Sequence, residues 1–376
     1  MQDQARVEIL HEYEFSRLQS EWCALERLGH PSVFQSWAWL SCLLSVLPEQ
    51  INPLLVRVSL DKRVVGLGFI CKSKVNSKFG KASAFLLSET GTASLDCVTV
   101  EHNGFLCDPA YESVVYSAVG HALDGRNDWD EWVLSGIDCS SSDDRYEELA
   151  GRKGWSVYES AKKPWYFVNL AAVKDKGSNL EWLSANTRSQ VRRSLKEYAR
   201  RGEMKFELAK SCDEALAFFD RLKHFHQEYW QSQGKPGAFG LEFFETFHRR
   251  FIEQGWSGGT VRLARVRSGD HEIGYLYDLV HDRTIFSYQS GFNYENIAKL
   301  KPGLVSHVLA IERAIADGFL YYDLLAGDGQ YKRSLATDTQ TMRWIRIRRP
   351  RFKFRLEELA RKVHQRSRSR FEAFFY

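Results

Sequence analysis

The sequence predicts a mixed α/β (α+β) protein built from two tandem copies of one fold, each a mixed sheet flanked by helices, followed by a basic tail. Three observations support this prediction. At 376 residues the chain exceeds the length at which one hydrophobic core usually divides. Helix-like and strand-like apolar patterns alternate along it, as in layered α/β folds. The order of those patterns in the first half recurs in the second.

The repeat can be followed residue by residue. Three pairs are each separated by 208 positions: Trp22 and Trp230, Val58 and Val266, Gly66 and Gly274. Each Val begins the polar turn of a hairpin, LVRVSLDKRVVGLGF in the first copy and LARVRSGDHEIGYLY in the second. A Pro-led helix and a strand ending near Gly follow in both copies. We place the copies at residues 1–172 and 173–349, divided at the polar KDKGSN segment, and the tail at 350–376.

Composition narrows the class of protein. With 44% hydrophobic and 27% charged residues, the chain is typical of globular proteins rather than disordered ones. Its seven cysteines are scattered without a C-x-x-C pair, which indicates neither a disulfide framework nor a thiolate metal site. The start does not read as a signal peptide, and AWLSCLLSVL at 38–47 is too short for a membrane helix, so we expect a core helix there. The expected location is the cytoplasm.

Positive charge is concentrated near the end of the sequence. Residues 343–376 hold twelve Lys or Arg against three Glu. Within this stretch IRIRRP, residues 345–350, predicts a strand, and the residues after it predict a basic helix. That helix could contact an anionic membrane surface, nucleic acid or an acidic partner, or it could be a solvated helix packed on the body.

The two copies differ where their Pro-led helices begin. The second helix opens with Lys301-Pro302-Gly303, and Lys299 lies just before it. Free backbone N–H groups, a glycine and two cations at a helix N-terminus form an anion site. The first copy has Asp108-Pro109-Ala110 there, whose carboxylate repels a phosphate. We therefore predict that the second copy carries the active site and that the first is non-catalytic.

The run FLYYDLLAGDGQYKRSL, residues 319–335, combines a buried-strand pattern with polar residues. Its apolar block is interrupted by Asp323, its glycines allow a sharp turn, and Tyr331-Lys332 follows where a helix could begin. Strand, loop and helix in this order are where α/β proteins place ligands. The alternative is a plain buried strand with a Gly-rich turn.

Two further groups are candidate binding residues. Arg188 and Arg192 begin a stripe of basic residues spaced four apart, which indicates either a wall for a phosphorylated ligand or a solvated helix face. His226 lies four residues before Trp230 and so on the same helix face, where it lines an acceptor pocket or serves a structural role. His224 and His226 point to opposite sides, so a joint metal site is not predicted.

Together these segments resemble the tandem GNAT-type acetyltransferases of the CelD/BcsL family, found in bacterial polysaccharide gene clusters and related to the Fem peptidyltransferases. The resemblance runs from about Phe34 to Ile345 and is looser in the first copy, at VFQSWAWLSCLL, VVGLGF and LDCVTVEHNGFLCD. In the second copy it is carried by TRSQVRRSLKEYARRG, HQEYWQSQGKPGAF and YQSGFNYENIAKLKPG. The family's Asp, Gly-Asp and Tyr-Lys signature falls on Asp323, Gly327, Asp328, Tyr331 and Lys332.

The resemblance implies two GNAT-like domains and an N- or O-acyltransferase. It would move an acyl group from acyl-CoA to an amine or hydroxyl of a polysaccharide or envelope precursor, for example an amino sugar. LKPGLVS departs from the usual GNAT phosphate loop, R/Q-x-x-G-x-G/A, because it offers only Gly303. Two alternatives remain: a Fem-like ligase that uses aminoacyl-tRNA, and a catalytically degenerate scaffold in a polysaccharide-synthesis complex.

Direct transfer needs a proton acceptor and a polarised donor carbonyl, which assigns roles to single residues. We predict Asp323 as the general base, with a loop-fixing carboxylate as the alternative. Tyr331 would donate to the leaving thiolate, and Lys332 would hold a phosphate or the acceptor's carboxylate. The predicted donor-binding residues are Tyr288, Gln289, Lys299, Lys301 and Gly303; the predicted substrate-binding residues are Arg188, Arg192, His226, Trp230 and Asp328. No metal is expected.

Overall fold

The structure, a computed structural model, describes residues 5–29, 31–139, 144–177 and 180–361. In the first half the strands are β1 Arg6–Leu10, β2 Leu54–Leu60, β3 Arg63–Ser77, β4 Gly80–Leu87, β5 Leu106–Cys107, β6 Glu131–Cys139 and β7 Ser156–Asn169. The helices there are α1 Phe15–Gly29, α2 Trp37–Val46, α3 Glu112–Asp124, α4 Arg145–Arg152 and α5 Leu170–Asp175. Short 3₁₀ helices cover Val33–Gln35, Pro109–Tyr111 and Ala238–Gly240.

The second half repeats this order of elements. Its strands are β8 Met204–Leu208, β9 Val261–Ser268, β10 His271–His281, β11 Thr284–Phe292, β12 Tyr321–Ala326 and β13 Asp338–Arg348. Its helices are α6 Ala185–Ala199, α7 Cys212–Ser232, α8 Glu242–Gly255, α9 Pro302–Ala316 and α10 Gln330–Leu335, followed by a helical segment, α11, at 352–361.

A single mixed sheet runs through the described residues in the order β1-β2-β3-β4-β6-β13-β7-β12-β11-β10-β9-β8, with β5 paired to β3. Most neighbours are antiparallel. The pairs β4–β6 and β11–β12 are parallel, because helices α3 and α9 carry the chain back between their strands. The predicted mixed sheet flanked by helices is confirmed.

The two halves exchange their last strands. Strand β7 of the first half pairs with β12 of the second, and β13 of the second half pairs with β6 of the first. β7 and β13 also pair with each other along almost their full length. Each half of the sheet is therefore completed by a strand from the other half.

The alternating Ile and Arg residues of β13 confirm the strand predicted for IRIRRP. Ile345 and Ile347 are fully buried in the core of the first half. On the opposite face Arg346 and Arg348 bind Glu131 of β6, at 2.8 and 3.0 Å. Alternation with a period of two thus places apolar and charged side chains on opposite faces.

Helices cover both faces of the sheet, and α2 joins the two halves. Its Trp39 is 1% exposed and lies 4.7 Å, ring to ring, from Phe247 of α8. The predicted core helix at 38–47 is confirmed. In the ranges that the structure describes, no helix has the length and apolar composition needed to cross a bilayer.

The tail begins as α11, which packs on the first half through Phe354 and Glu357, both buried. Glu357 accepts a hydrogen bond from Arg348 at 2.8 Å. Most of the predicted basic helix, residues 362–376, lies outside the described residues.

Candidate active site

The parallel strands β11 and β12 separate soon after they meet. They pair through three residues on each strand, from Thr284 opposite Tyr321 to Phe286 opposite Asp323, and then diverge. We call the gap between them the second wedge. A β-bulge at Tyr288 shifts the pairing of β11 with β10 at the same level, since Gln289 pairs with Tyr277 but Ser287 with Asp278. The edge of β11 beyond Phe286 is therefore free of β12 and faces the gap.

Two cavities occupy the second wedge. The large cavity, about 1090 Å³, is lined by the start of α9, the 289–297 segment and the end of α7. The small cavity, about 210 Å³, is lined by Glu101, Lys332 and the 287–290 segment among others. Gln289, Ser290, Ala238 and Tyr331 line both, so the two cavities are adjacent and share a wall.

The start of α9 forms one end of the large cavity. Pro302 is the first helical residue and has no N–H, and the first intrahelical bond runs from Val305 N to Lys301 O at 3.0 Å. The amides of Gly303 and Leu304 thus have no carbonyl of the same helix to bind, and the helix dipole favours an anion beside them. Lys301 N donates to Ser194 Oγ of α6 at 2.9 Å, which holds the two helices together at this point.

The rest of the large cavity is lined by aromatic rings and by the ammonium group of Lys235. Tyr229 and Tyr294 lie 4.8 Å apart, ring to ring, on its wall. Lys235 also lines it, with Nζ 5.3 Å from the ring of Trp230. Lys235 was missed in the sequence because a lysine in a QGKPG turn gives no sign that the fold brings it to α9.

His226 shapes the wall of this cavity with both ring nitrogens. Nε2 accepts a hydrogen bond from Ala238 N at 3.2 Å, so Nδ1 carries the proton and donates to Ser290 O at 3.2 Å. Burial lowers the pKa of His226, which keeps the ring neutral. His226 therefore ties α7 to β11, and its ring nitrogens are occupied by the protein.

The small cavity is lined by both Tyr331 and Lys332, whose predicted catalytic roles stay predictions. Lys332 Nζ donates to the carbonyl oxygens of Leu325 and Ala326, at 3.2 and 2.7 Å. Burial raises the pKa of the Tyr331 hydroxyl, which stays protonated at neutral pH, and its ring stacks on His307 at 5.2 Å. The ammonium group of Lys332, on α10, thus lies at the end of β12 rather than at the start of α9.

A carboxylate from the first half completes the small cavity. Glu101 is 7% exposed, and its Oε2 accepts a hydrogen bond from Ala326 N at 2.7 Å. Burial raises the pKa of Glu101, although the Ala326 N–H and the charge of Lys332 act in the opposite direction. The sequence did not reveal Glu101, because its partner lies 225 residues away in the chain and VTVEHNGF reads as a polar connection.

Asp323 lies on a different cavity from Tyr331 and Lys332. Its Oδ1 accepts from Leu325 N at 2.6 Å, which holds Leu325 in a left-handed conformation with φ of +62°. Its Oδ2 lies 3.1 Å from His102 Nε2, and His102 Nδ1 lies 2.9 Å from Asp138. The assignment of Asp323 as the base stays a prediction; its observed contacts include the loop-fixing bond of the alternative.

The cavity beside Asp323, which we call the His102 cleft, measures about 540 Å³ and lies between the two halves. Burial by itself lowers the pKa of His102, but the charges of Asp323 and Asp138 outweigh it and hold that pKa well above its usual value. The Asp138–His102–Asp323 chain therefore clamps β6 of the first half to β12 of the second.

Several predicted residues lie away from the small cavity. Asp328 is exposed and paired with Arg333, and Lys299 Nζ is 3.8 Å from Glu197 on α6. Arg192 is exposed and Arg188 half-buried on α6. The ligand-binding roles of these four residues stay predictions. In the described ranges no group of three or more His, Cys, Asp or Glu is arranged to hold a metal ion.

Comparisons with known proteins identify what the second half and the whole chain resemble. Residues 185–333 match the family model described as an acetyltransferase (GNAT) domain. A search of curated proteins found no match. The matched range, residues 185–333, includes the second wedge, the start of α9 and the Tyr331-Lys332 pair.

Solved structures extend the similarity to the whole chain. FemX has a TM-score of 0.58 at 11% identity, over 89% of this chain and 96% of its own. L-PGS from Bacillus licheniformis has a TM-score of 0.53 at 10% identity, over 92% and 96%. A tandem GNAT protein from the clavulanic acid biosynthesis pathway has a TM-score of 0.50 at 12% identity, over 92% and 100%. Identities this low establish the fold alone. Residues 185–333 thus match a GNAT acetyltransferase domain, and the chain as a whole has the fold of tandem GNAT proteins.

Proposed function

We propose that the protein transfers an acyl group from acyl-CoA to an amine or hydroxyl of a polysaccharide or envelope precursor, by direct attack. The observation that carries this proposal is the pair of adjacent cavities in the second wedge. They place an anion site at the start of α9 beside a small polar cavity that holds Glu101, Tyr331 and Lys332. An elongated donor with phosphates at one end and a thioester at the other has this distribution of groups.

The donor would bind along the large cavity. Its phosphates would meet the amides of Gly303 and Leu304 and the ammonium groups of Lys235 and Lys301. The two lysines supply charge where the loop has only one of the glycines usual in GNAT proteins. The free edge of β11 at Tyr288 and Gln289 offers backbone groups to the amide-containing arm of CoA.

The small cavity would hold the reacting thioester. Tyr331, kept protonated by burial, can donate a proton to the departing sulfur. Lys332 adds positive charge beside the carbonyl whose oxygen becomes negative during transfer. Positioning of both substrates then removes the need for a covalent enzyme intermediate.

The acceptor class rests on the resemblance to the CelD/BcsL family, in which an amino sugar is one candidate acceptor. The tail supports a location at the cytoplasmic face of the membrane. Phe352 and Leu359 on α11 are 76% and 59% exposed, seven residues apart, with exposed Arg355 between them. An apolar and basic helix face of this kind suits an anionic lipid surface.

Calorimetric titration with acetyl-CoA tests the donor site. We expect saturable binding to the native protein and a dissociation constant raised by about tenfold or more in Lys301→Glu, or roughly 1.4 kcal/mol. Lys210→Glu, a charge reversal just before α7 at the end away from Trp230, is the matched control and should bind as the native protein does.

Equal binding by Lys301→Glu would remove the start of α9 from the donor site. If acetyl-CoA and longer acyl-CoAs fail to bind while tRNA binds in a salt-sensitive manner, the Fem-like alternative replaces this proposal.

A further inference from the structure

The small cavity is built from both halves of the chain. Cys97, Thr99 and Glu101 of the first half line it opposite Leu325, Ala326 and Lys332 of the second. Glu101 is thus the carboxylate that faces Tyr331 and Lys332 in this cavity. Its position depends on the way the first half packs into the second wedge, beyond the family match at 185–333.

One oxygen of Glu101 remains available to a ligand. Oε2 accepts from Ala326 N, which fixes the carboxylate in the cavity wall. Among the described residues no donor reaches Oε1. The two oxygens of Asp323, by contrast, are held by Leu325 N and His102, on the His102 cleft rather than the small cavity.

The charges around Glu101 balance one another. Lys332 and His102 attract the carboxylate and Asp323 repels it, while Tyr288 and Tyr331 face it as uncharged phenols. Burial outweighs the attractive charges and raises the pKa of Glu101. A carboxylate in such surroundings takes up a proton more readily than one in water.

We propose that Glu101 accepts the proton from the attacking amine or hydroxyl, so that the first half supplies the base for the active site of the second. This inference rests on the proposed acyl transfer. The attacking atom forms a bond to the thioester carbon as the carbon–sulfur bond breaks, and its proton passes to Oε1 of Glu101. Tyr331 protonates the departing thiolate. Glu101 then releases its proton to water, and Tyr331 regains one.

Glu101→Gln tests this role, because the amide oxygen still accepts from Ala326 N but the side chain cannot act as a base. With acetyl-CoA and glucosamine as probe substrates, we expect turnover to fall by about 100-fold or more while acetyl-CoA affinity stays unchanged. Glu101→Asp, which retains a shorter carboxylate, should keep an intermediate rate and the native form of the pH profile.

Glu89→Gln is the matched control. Glu89 is a partly buried carboxylate of the first half, and its Oε2 accepts a hydrogen bond from Ser135 Oγ at 2.6 Å. Burial raises the pKa of Glu89 to about 7. It lies outside both cavities of the second wedge. The Glu89→Gln variant should turn over as the native protein does.

Infrared pH titration gives a readout that does not depend on the acceptor. The native protein should show a carboxyl band that is missing in Glu101→Gln and shifts when acetyl-CoA binds; the band lost in Glu89→Gln should not shift. If acetyl-CoA binds but Glu101→Gln turns over at the native rate, Glu101 is not the base. The same conclusion follows if the Glu101 carboxyl band of the native protein does not shift when acetyl-CoA binds. If the native protein binds no acyl-CoA, the proposed function itself fails.

Discussion

Each half contains a gap between two parallel strands, and we call the gap between β4 and β6 the first wedge. The first wedge is bridged, whereas the second is open. In the first half β4 and β6 pair through three residues on each strand, from Ala84 opposite Glu131 to Leu86 opposite Val133, and then diverge as β11 and β12 do. Here the gap is bridged, because Asn103 Nδ2 donates to Leu87 O and to Ser135 O, both at 3.0 Å. One buried amide thus joins the strands that the second half leaves apart.

The Pro-led helices of the two halves also begin differently, at Asp108-Pro109 in the first half and at Lys301-Pro302 in the second. Asp108 Oδ1 accepts from Ala110 N at 3.1 Å, and the carboxylate also pairs with Arg63. The protein's own anion therefore occupies the position that α9 leaves open. The prediction that the second half carries the active site, and that the first half has none of its own, agrees with this contrast. The two wedges of the duplicated fold thus differ in two features. The first has a bridging amide, Asn103, and a negative charge at its helix start, whereas the second has no such bridge among the described residues and a positive charge at its helix start.

The largest expected effect comes from the clamp that joins the two wedges. His102→Asn leaves Asp323 buried without its positive partner, and we expect a loss of about 3 kcal/mol in the free energy of unfolding at pH 6. The pKa of His102 is raised in the folded state, so its stabilisation is full below the ordinary histidine pKa of about 6.5 and disappears as pH rises through the folded-state value.

Urea unfolding of the native protein and His102→Asn at pH 6 and pH 9 measures this. The difference in unfolding free energy between the two proteins should be smaller at pH 9. A difference that grows with pH would show that His102 is held neutral.

The next effect concerns the bridge across the first wedge. Asn103→Ala removes two hydrogen bonds from buried carbonyls, and we expect a loss of about 2 kcal/mol in unfolding free energy. Acetyl-CoA affinity should not change, because the first helix start still carries Asp108. Asn293→Ala, which removes one bond from a partly buried amide to Glu272 O, is the control and should cost less. New acetyl-CoA binding in Asn103→Ala would show that the bridge alone keeps the first wedge from acting as a donor site.

The smallest effect is expected at Asp108, where the Pro-led helix of the first half begins. Asp108→Ala removes the carboxylate that caps this start, and we expect a loss of about 1 kcal/mol from thermal unfolding measurements. The acetyl-CoA titration should match that of the native protein because Asn103 still bridges the wedge. An unchanged melting temperature would mean that the cap contributes nothing to stability.

Local patterns in the sequence predicted the elements but not all of their partners. Spacing and residue type are visible over a few residues, and they are enough to predict the hairpins, the strand at IRIRRP and the helix start at Lys301-Pro302-Gly303. The Glu101–Ala326 and His102–Asp323 contacts join residues more than 200 positions apart, and no short-range period encodes those. The strand exchange was not predicted for the same reason, since β7 and β13 are ordinary strands in either arrangement.

The exchange of β7 and β13 has a consequence for synthesis on the ribosome. Strand β6 is complete at residue 139, but its partner β13 ends at residue 348, so the edge of β6 stays open until about 200 more residues have been made. An exposed strand edge can pair with other chains, and contacts between distant residues form slowly. The first half therefore cannot finish folding ahead of the second. We expect chaperone dependence to be greatest while translation passes through the second half.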